Sequence, residues 1–330
     1  MQSTLVGIDV AARTLEVRLQ RPNGEERACE LANEHKGHRE LIKLLTRRRG
    51  RARVAFESTG VYHLDLALAL HEAHGIEVMV VNPRAARDFA RAAMQRSKTD
   101  SLDAAVLLDF VRRMPFKAWT PPSREAFELR MLARRISRRT KARAQEKNRF
   151  HATERAGSQV VCHDIKLEIR HTNRRIIALQ SAALALIRKT PRLSKQFTHL
   201  TSLRGIGKAS AILILAEICV LPKDMKPRQW VAHAGLDPRI LQSGTSLSVQ
   251  ASISKMGNRY LRAALFMPAL VAVKYEPSVQ AFYEKLIAKQ KAPLQALVAV
   301  MRKLLHSIHG MLRTGTDFDG TKFYAIPESA

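Results

Sequence analysis

The order of apolar and polar positions in residues 1–120 predicts strands and helices in alternation. An apolar run and two half-exposed runs come first and predict three consecutive strands, "STLVGIDVA", "TLEVRLQRP" and "RACELAN". After them, segments with helical spacing alternate with apolar segments typical of buried strands. The helices are "GHRELIKLLTRR", "HLDLALALHEAHG", "PRAARDFARAAM" and "TDSLDAAVLLDFVRRM", and the interleaved strands are "RVAFEST" and "IEVMVVNP". The pattern indicates an α/β layer fold with a mixed sheet.

Pro121 and Pro122 mark a boundary, and the pattern beyond them is helical. In residues 121–195, one set of positions recurs at alternating spacings of four and three, which fits about three coiled-coil heptads. The seven positions, all apolar except Thr172, are Ile165, Ile169, Thr172, Ile176, Leu179, Ala183 and Leu186. Two interpretations stay open, a helical hairpin packed within the chain and a coiled coil between subunits.

Residues 196–330 form a third, mostly helical region in this prediction. It opens on "LTSLRGIGKASAILILAEI", which resembles a helix-hairpin-helix with Gly205 and Gly207 in the turn. Such a turn is as typical of helix packing as of phosphate binding. A polar serine-rich loop, "LQSGTSLSVQASISKMG", and three helices follow, and the tail from 314 to 330 is predicted to be loosely ordered. The predicted fold class is α/β plus all-α, with domains at 1–120, 121–195 and 196–330.

The composition indicates which kind of molecule the protein binds. The 56 Lys and Arg against 29 Asp and Glu give a formal charge of +27, and residues 124–195 alone hold 19 basic against 6 acidic residues. A field this positive predicts nucleic acid or an anionic surface as the partner. The aromatic share of 5% argues against a single-strand reader that stacks bases. There is no membrane-length apolar run and no signal-peptide pattern, and the three cysteines are scattered, so we expect a cytoplasmic protein without disulfides or a zinc site.

Four acids stand at positions suited to a metal site. Asp9 and Glu57 end predicted strands, and Asp100 and Asp103 share one face at the start of a helix. Neighbouring carboxylates repel each other unless a cation lies between them, and their hard oxygen atoms suit Mg²⁺ or Mn²⁺. Two such ions can activate a nucleophile and stabilise the leaving oxygen at a phosphodiester. As an alternative, Asp100 only caps its helix.

A second alternative concerns the opening strand as a whole. A Gly-Ile-Asp strand followed by a hairpin also opens the sugar-kinase and actin-like ATPases. The chain shows no second glycine-rich phosphate loop of their Asp-x-Gly type, and a charge of +27 is a poor match for a metabolic kinase. The acids are therefore interpreted as a site for phosphodiester chemistry.

The serine-rich loop offers protein nucleophiles for the same chemistry. A serine hydroxyl can form a covalent phosphoserine intermediate, which keeps the energy of the broken bond and allows strands to be rejoined without ATP. Chemistry alone does not choose among the candidates, Ser243, Ser246, Ser248, Ser252 and Ser254. Three basic residues nearby suit phosphate binding or a solvated helix face equally well: Lys255, Arg259 and Arg262.

The order of motifs along the chain resembles one family. The segments "GIDVAARTLEV", "FESTGVY", "VVNPRAARDFARA", "KTDSLDA", "LRGIGKASAILILAEI", "VAHAGLDPR", "QSGTS" and "ISKMGNRYLRAALFMPAL" occur as in the DEDD-type insertion-sequence transposases, relatives of the Piv DNA invertases. The resemblance spans residues 3–318 or so, and the whole set is far more specific than any single motif. The better-understood members of this family act as bridge-RNA-guided DNA recombinases.

The resemblance implies a site and a set of partners. The N-terminal domain would be RuvC-like, with an RNase H fold, and its acids Asp9, Glu57, Asp100 and Asp103 would bind magnesium. The C-terminal transposase domain would supply Ser243, followed by Gly244, as the nucleophile. In the family, acids from one subunit and serine from another form a composite site. A coiled coil helps dimers assemble into a tetramer that holds two DNA duplexes, and a non-coding RNA pairs with donor and target DNA.

The sequence therefore predicts a magnesium-dependent, serine-using transposase that acts in the bacterial cytoplasm, at the nucleoid. The alternatives are an RNA-independent DNA invertase or Holliday-junction resolvase-like nuclease, and a nucleic-acid-binding assembly protein whose acids are structural. Basic helices neutralise phosphates without reading bases. The predicted nucleic-acid contacts are Lys98, Arg134, Arg135, Arg138, Arg139, Lys208, Lys255, Arg259 and Arg262.

Overall fold

The computed structural model describes residues 3–47, 50–58, 62–94, 100–243 and 247–326; within these, the side chains of residues 100–102, 240–243 and 247–251 are not described. The chain divides into two compact units, Met1–Pro121 and Pro122–Ala330. The boundary coincides with the proline pair that marks the change of pattern in the sequence.

The first unit is a sheet with helices on both faces. Its strands are β1 (Thr4–Val10), β2 (Thr14–Gln20), β3 (Glu26–Ala32), β4 (Ala52–Glu57) and β5 (Ile76–Val81), and its helices are α1 (His35–Thr46), α2 (Leu64–Glu72), α3 (Pro83–Ala92) and α4 (Asp100–Arg113). The strand order is β3-β2-β1-β4-β5. β2 is antiparallel to both neighbours, while β1, β4 and β5 are parallel. The predicted mixed α/β fold is confirmed.

Strand alternation sorts the side chains of this sheet onto two apolar layers. On one face, Val6, Ile8 and Phe56 pack with residues of α1 and α2. On the other face, Ala55 and the far end of β5 pack with α3 and α4. Because both faces are covered, successive residues of β1 and β4 belong to different layers, and this parity decides where their polar residues lie.

The second unit is mostly helical. Its elements are α5 (Arg124–Arg155), α6 (Gln159–Lys189), α7 (Pro191–Ser202), α8 (Lys208–Ile218), α9 (Pro227–Ala234), β6 (Pro238–Ser243), β7 (Leu247–Ile253), α10 (Arg259–Tyr275), α11 (Pro277–Ala288), α12 (Pro293–Thr314) and α13 (Gly320–Phe323). Helix α8, which is apolar on nearly all sides, lies in its core. No helix of the described chain is long and apolar enough to cross a membrane.

Helices α5 and α6 form a hairpin within the chain. Gly157, at φ 78°, lies in the turn between them. Ile176 and Ala183 of the predicted seam share a buried core with Leu129 and Ile136 of α5. The apolar seam of α6 is therefore buried by residues of the same chain, which agrees with the first interpretation, a helical hairpin packed within the chain. The same core includes residues of α7 to α12, so the further division into 121–195 and 196–330 stays a prediction.

Two sequence-based expectations are corrected by the structure. The serine-rich segment is a hairpin of β6 and β7 rather than a loop; Leu247, Val249 and Ile253 recur at even spacings in the sequence, which is the signal of a strand. The tail, expected to be loosely ordered, is docked as far as residue 326. Phe323 is 2% exposed and packs edge-on against Phe282, and the backbone N–H of Phe318 donates to the hydroxyl of Ser202, so the tail is held against the second unit.

Candidate active site and nucleic-acid interface

Two of the predicted acids lie at neighbouring strand ends. Ile8 of β1 is paired with Phe56 of the parallel strand β4, so Asp9 and Glu57 come next on adjacent strands. Ile8 and Phe56 point into the layer under α1 and α2. By strand alternation, Asp9 and Glu57 belong to the opposite face, which α3 and α4 cover. The two carboxylates therefore share one edge and one face of the sheet.

Helix α4 crosses β1 in direct contact at Gly7. A Cβ atom at Gly7 would lie 2.2 Å from the backbone nitrogen of Leu108 and 2.3 Å from the carbonyl oxygen of Ala104. Only glycine leaves room for a helix backbone at this distance from a strand. The close approach brings the turn that carries Asp103 onto the same face as Asp9.

The direction of α4 follows from its last turn. Arg112 donates a 3.2 Å hydrogen bond to Gln20, and Gln20 pairs with Leu5, near the N-terminal end of β1. Helix α4 therefore runs antiparallel to β1, and its N-terminal turn lies toward the Asp9 end. The helix rises about 1.5 Å per residue and the strand about 3.3 Å. Asp103 accordingly comes near the level of Asp9 along the strand.

The carboxylates suit a hard divalent cation, but the described side chains do not surround a metal position. Asp9, Glu57 and Asp103 offer carboxylate oxygens, which Mg²⁺ and Mn²⁺ prefer. Among the side chains that the structure describes, no three acids, histidines or cysteines lie close enough together to hold a metal ion. The side chain of Asp100, which starts α4, is outside the described set. The backbone placement fits the predicted four-acid site, and the site itself stays a prediction.

The predicted nucleophile lies at the end of a hairpin strand. Ser243 is the last residue of β6 and pairs with Leu247, directly before residues 244–246, which lie outside the described chain and include Ser246. Ser254 has a structural partner, because its hydroxyl donates a 2.6 Å hydrogen bond to Asp237 at the base of the hairpin. Ser248 and Ser252 lie on β7, opposite Gln242 and Arg239.

A buried carboxylate, Glu217, lies at the centre of the second unit. Its side chain is 2% exposed and accepts two hydrogen bonds from Arg134, Nε at 2.7 Å and Nη2 at 3.0 Å. Asn258 donates a third, at 2.6 Å. Burial alone would raise the pKa of Glu217, but these hydrogen bonds outweigh burial and hold the pKa below its ordinary value. We call Glu217, Arg134 and Asn258 the Glu217 network.

The Glu217 network joins several elements. Asn258 also caps α10, since its Oδ1 accepts from the backbone N–H groups of Tyr260 and Leu261 at 3.0 and 3.2 Å. Its own backbone N–H donates to the carbonyl of His233 on α9. Burial lowers the pKa of His233, which favours its neutral form. One carboxylate thus connects α5, α8, α9 and the start of α10.

A second group of residues, the arginine–tyrosine cluster of Arg134, Arg138, Arg259 and Tyr260, adjoins this network. The guanidinium carbon of Arg134 lies 4.8 Å from the centroid of the Tyr260 ring, and that of Arg259 lies 5.2 Å from it. Arg259 also donates to the Tyr260 hydroxyl at 3.4 Å. Hydrogen bonds from Arg138 and Arg259 lower the pKa of Tyr260.

The predicted nucleic-acid residues differ in what they contact. Arg134 is engaged by Glu217, and Arg262 donates a 2.7 Å hydrogen bond to the carbonyl of Ala234 at the end of α9. Lys98 lies outside the described residues. Arg139 is partly buried, and its Nε has no hydrogen-bond partner among the described residues. The exposed members are Arg135, Arg138, Lys208, Lys255 and Arg259.

Sequence reasoning missed the residues around which these side chains are arranged. Glu217 is a lone acid within the apolar run "AILILAEI", and a buried acid needs a partner, so the segment carried a usable signal. Asn258 directly before an apolar helical pattern is a typical N-cap. Tyr260 had no such signal, because two of the arginines beside it, Arg134 and Arg138, are on α5 and far from it in the chain.

Two family models and several known proteins are similar to this chain. A transposase model of the IS110 DEDD type matches residues 6–153, and a model described as transposase of the IS116/IS110/IS902 family matches residues 197–284. The pilin gene-inverting proteins of Moraxella bovis and Moraxella lacunata are each 30% identical to the chain over 325 residues, 97% of this chain and 98% of theirs. A 43.6 kDa uncharacterized protein of insertion element IS110 from Streptomyces coelicolor is 30% identical over 120 residues, 36% of this chain and 29% of that protein.

These matches define the class of the protein as an enzyme of DNA recombination. The chain belongs to the IS110-type family of DEDD transposases, and the pilin gene-inverting proteins are its relatives over nearly its whole length. The predicted family membership is confirmed.

Proposed function

We propose that this transposase cuts and rejoins DNA with two groups of residues. Asp9, Glu57, Asp100 and Asp103 would hold Mg²⁺ or Mn²⁺, and Ser243 would be the nucleophile. The observation that carries the proposal is the placement of Asp9 and Glu57 at neighbouring strand ends, on the face crossed by the helix that carries the other two acids. Three strands joined antiparallel, followed by two parallel ones, support the further assignment of an RNase H-like, RuvC-like fold.

Covalent chemistry at Ser243 would conserve the energy of the broken bond. Its Oγ attacks phosphorus, a serine–phosphorus ester forms as one P–O bond of the DNA strand breaks, and the serine proton goes to the leaving DNA hydroxyl. A hydroxyl of the other DNA strand then attacks this ester, joins the strands and restores Ser243. Asp9, Glu57, Asp100 and Asp103 would hold a divalent cation, which would supply positive charge where negative charge develops on the phosphate. The family resemblance supports serine and acids from different subunits of a tetramer.

RNA guidance is the second part of the proposal. A non-coding bridge RNA would pair with donor and target DNA, while the protein holds backbones through its basic surface. The exposed basic residues and the charge of +27 support a nucleic-acid ligand of this kind. The alternative is RNA-independent site-specific inversion or junction resolution. The near full-length similarity to two pilin gene-inverting proteins favours that alternative specifically.

A recombination assay in cells tests both parts. The complete element with its non-coding ends is supplied to the wild type and to Asp9→Asn, Asp103→Asn and Ser243→Ala, with and without the RNA. Asp109→Asn is the matched control, because Asp109 is on the same helix as Asp103 and forms an ion pair with Arg112. We expect the three site variants to lose recombination, the control to keep it, and the wild type to require the RNA.

The covalent step has its own readout. A pre-nicked DNA substrate lets the cleaved strand diffuse away, so an ester intermediate accumulates and can be mapped by mass spectrometry. DNA attached to Ser243 supports the proposal; attachment elsewhere, or recombination by Ser243→Ala, refutes this nucleophile. Recombination by wild type without RNA, together with inactive acid variants, would establish the invertase alternative.

A further inference from the structure

The arginine–tyrosine cluster has more positive charge than its surroundings balance. Helix α5 presents arginines at four-residue spacing, Arg130, Arg134 and Arg138, so their side chains lie on one helix face. The carboxylate of Glu217 is fully engaged by Arg134 and Asn258. Among the described residues, no acid forms an ion pair with Arg138 or Arg259, and both side chains are exposed.

The geometry directs these charges to one point. Arg138 and Arg259 come from different helices; Arg259 donates a 3.4 Å hydrogen bond to the hydroxyl of Tyr260, and Arg138 is close enough to help lower the pKa of that hydroxyl. Two guanidinium groups repel each other, and a neutral phenol hydroxyl compensates little of that repulsion. An anion beside the hydroxyl would compensate it and would accept from the planar forks of both arginines. The first residue of α10, Arg259, also lies at the positive end of a helix dipole.

We propose that Arg138, Arg259 and the hydroxyl of Tyr260 form a binding site for one phosphate of a nucleic-acid backbone. The site rests on the nucleic-acid substrate of the proposed function and adds to it a particular contact. Arg134 belongs to the site as a positioning residue: Glu217 fixes its guanidinium, and the guanidinium lies over the Tyr260 ring.

The cluster is suited to the backbone rather than to bases. Protein sites that read single-stranded bases leave aromatic faces open for stacking. At Tyr260, two guanidinium groups already lie near the ring, and the exposed arginines Arg138 and Arg259 offer only N–H donors. Donors alone match phosphate oxygens. The contact is therefore expected to be independent of sequence, which distinguishes it from base recognition.

The salt dependence of binding tests the site. Fluorescence anisotropy measures the affinity of wild type, Arg138→Gln, Arg259→Gln, the double variant and Tyr260→Phe over a series of salt concentrations. The probes are a labelled DNA duplex and, in a separate arm, a labelled single-stranded RNA. Each phosphate contact contributes about 0.9 to the slope of log K against log salt for duplex DNA and about 0.7 for a single strand. Because both arginines bind the same phosphate, the salt slope of the double variant should be smaller than that of wild type by the contribution of one phosphate contact.

Three controls make the outcome specific. Arg124→Gln removes the same charge from an exposed position on α5, fourteen residues or about 21 Å along the helix from Arg138. Binding is measured separately from recombination, so a failed active site and a failed phosphate site are distinguishable, and Asp109→Asn, which lies outside both sites, should bind as tightly as wild type. In a Trp119→Phe background, fluorescence of Trp230 reports whether the second unit, which carries the arginine–tyrosine cluster, is folded in each variant.

Several results are decisive. We expect Tyr260→Phe to weaken binding several-fold, Arg138→Lys to keep the salt slope while losing part of the affinity, and random-sequence probes to respond equally. If binding weakens with only one of the two probes, the bound phosphate belongs to that nucleic acid, either DNA or RNA. An unchanged slope in the double variant, or an equal change in Arg124→Gln, overturns the proposal.

Discussion

Replacement of Glu217 by glutamine should strongly destabilise the second unit. The carboxylate is 2% exposed and accepts hydrogen bonds at 2.6, 2.7 and 3.0 Å. Removing one partner of a buried ion pair costs about 3–5 kcal/mol, since it leaves the other charge uncompensated. Arg134 is 33% exposed and can regain water, so we expect the lower end, about 3 kcal/mol. For a unit of this size, that corresponds to a fall in Tm of about 6–12 °C.

The two tryptophans allow this measurement to be made on one unit. Trp119 lies in the first unit and Trp230 in the second. In a Trp119→Phe background, urea unfolding followed by Trp230 fluorescence reports the unit that contains Glu217. Glu128→Gln is the matched control: the same chemical change at an exposed position of α5, where surface substitutions usually change stability by less than about 0.5 kcal/mol.

The pH dependence of this effect has a definite sign. The folded-state pKa of Glu217 is lowered, so the group stabilises the fold above its unfolded pKa of about 4.3. That stabilisation is lost as the pH falls through the lower, folded pKa. The difference between wild type and Glu217→Gln should therefore be full at pH 7 and shrink below about pH 4. A loss under about 1 kcal/mol at pH 7, or one equal to that of Glu128→Gln, would refute the reasoning.

Three further predictions concern packing and thiol chemistry. Gly7→Ala should destabilise the first unit by about 2–3 kcal/mol, because its Cβ would lie 2.2 Å from the backbone of α4, and Trp119 fluorescence in a Trp230→Phe background would show it. Gly310→Ala should stabilise α12 by about 0.5–1 kcal/mol, since nothing lies within 4 Å of the added Cβ; an unchanged urea midpoint contradicts this. Burial raises the pKa of Cys219 to about 12, so in the native state a disulfide reagent should label Cys219 far more slowly than after unfolding, and equal rates would contradict burial.

The fold could be predicted from the sequence wherever a segment keeps a single period, either the alternation of a strand or the spacing of a helix. The three opening strands and the helices around them follow alternation and helical spacing directly. The serine-rich hairpin was missed because its five serines dominate the composition, although Leu247, Val249 and Ile253 keep a period of two. The seam of α6 left two interpretations open, because a heptad pattern specifies a packing face and does not identify the partner helix.

The candidate site likewise has a part that the sequence predicts and a part that it does not. Acids at strand ends are predictable, since adjacent parallel strands end at one edge and the chain order fixes which residues come there. The contacts of Arg134 and Tyr260 were not predictable, because they depend on how α5, α8 and α10 cross. No local pattern contains a crossing angle; it results from the packing of whole helices.

The parity of β1 and β4 couples the candidate acids to the folding of the first unit. Ile8 and Phe56 are buried under α1 and α2, and Asp9 and Glu57 come directly after them, on the opposite face. A register slip of one residue in either strand would move Ile8 or Phe56 to the α4 face and bring a carboxylate into the apolar layer under α1 and α2. The hydrophobic core therefore excludes misplaced acids: a sheet that forms at all forms with both carboxylates on the α4 face.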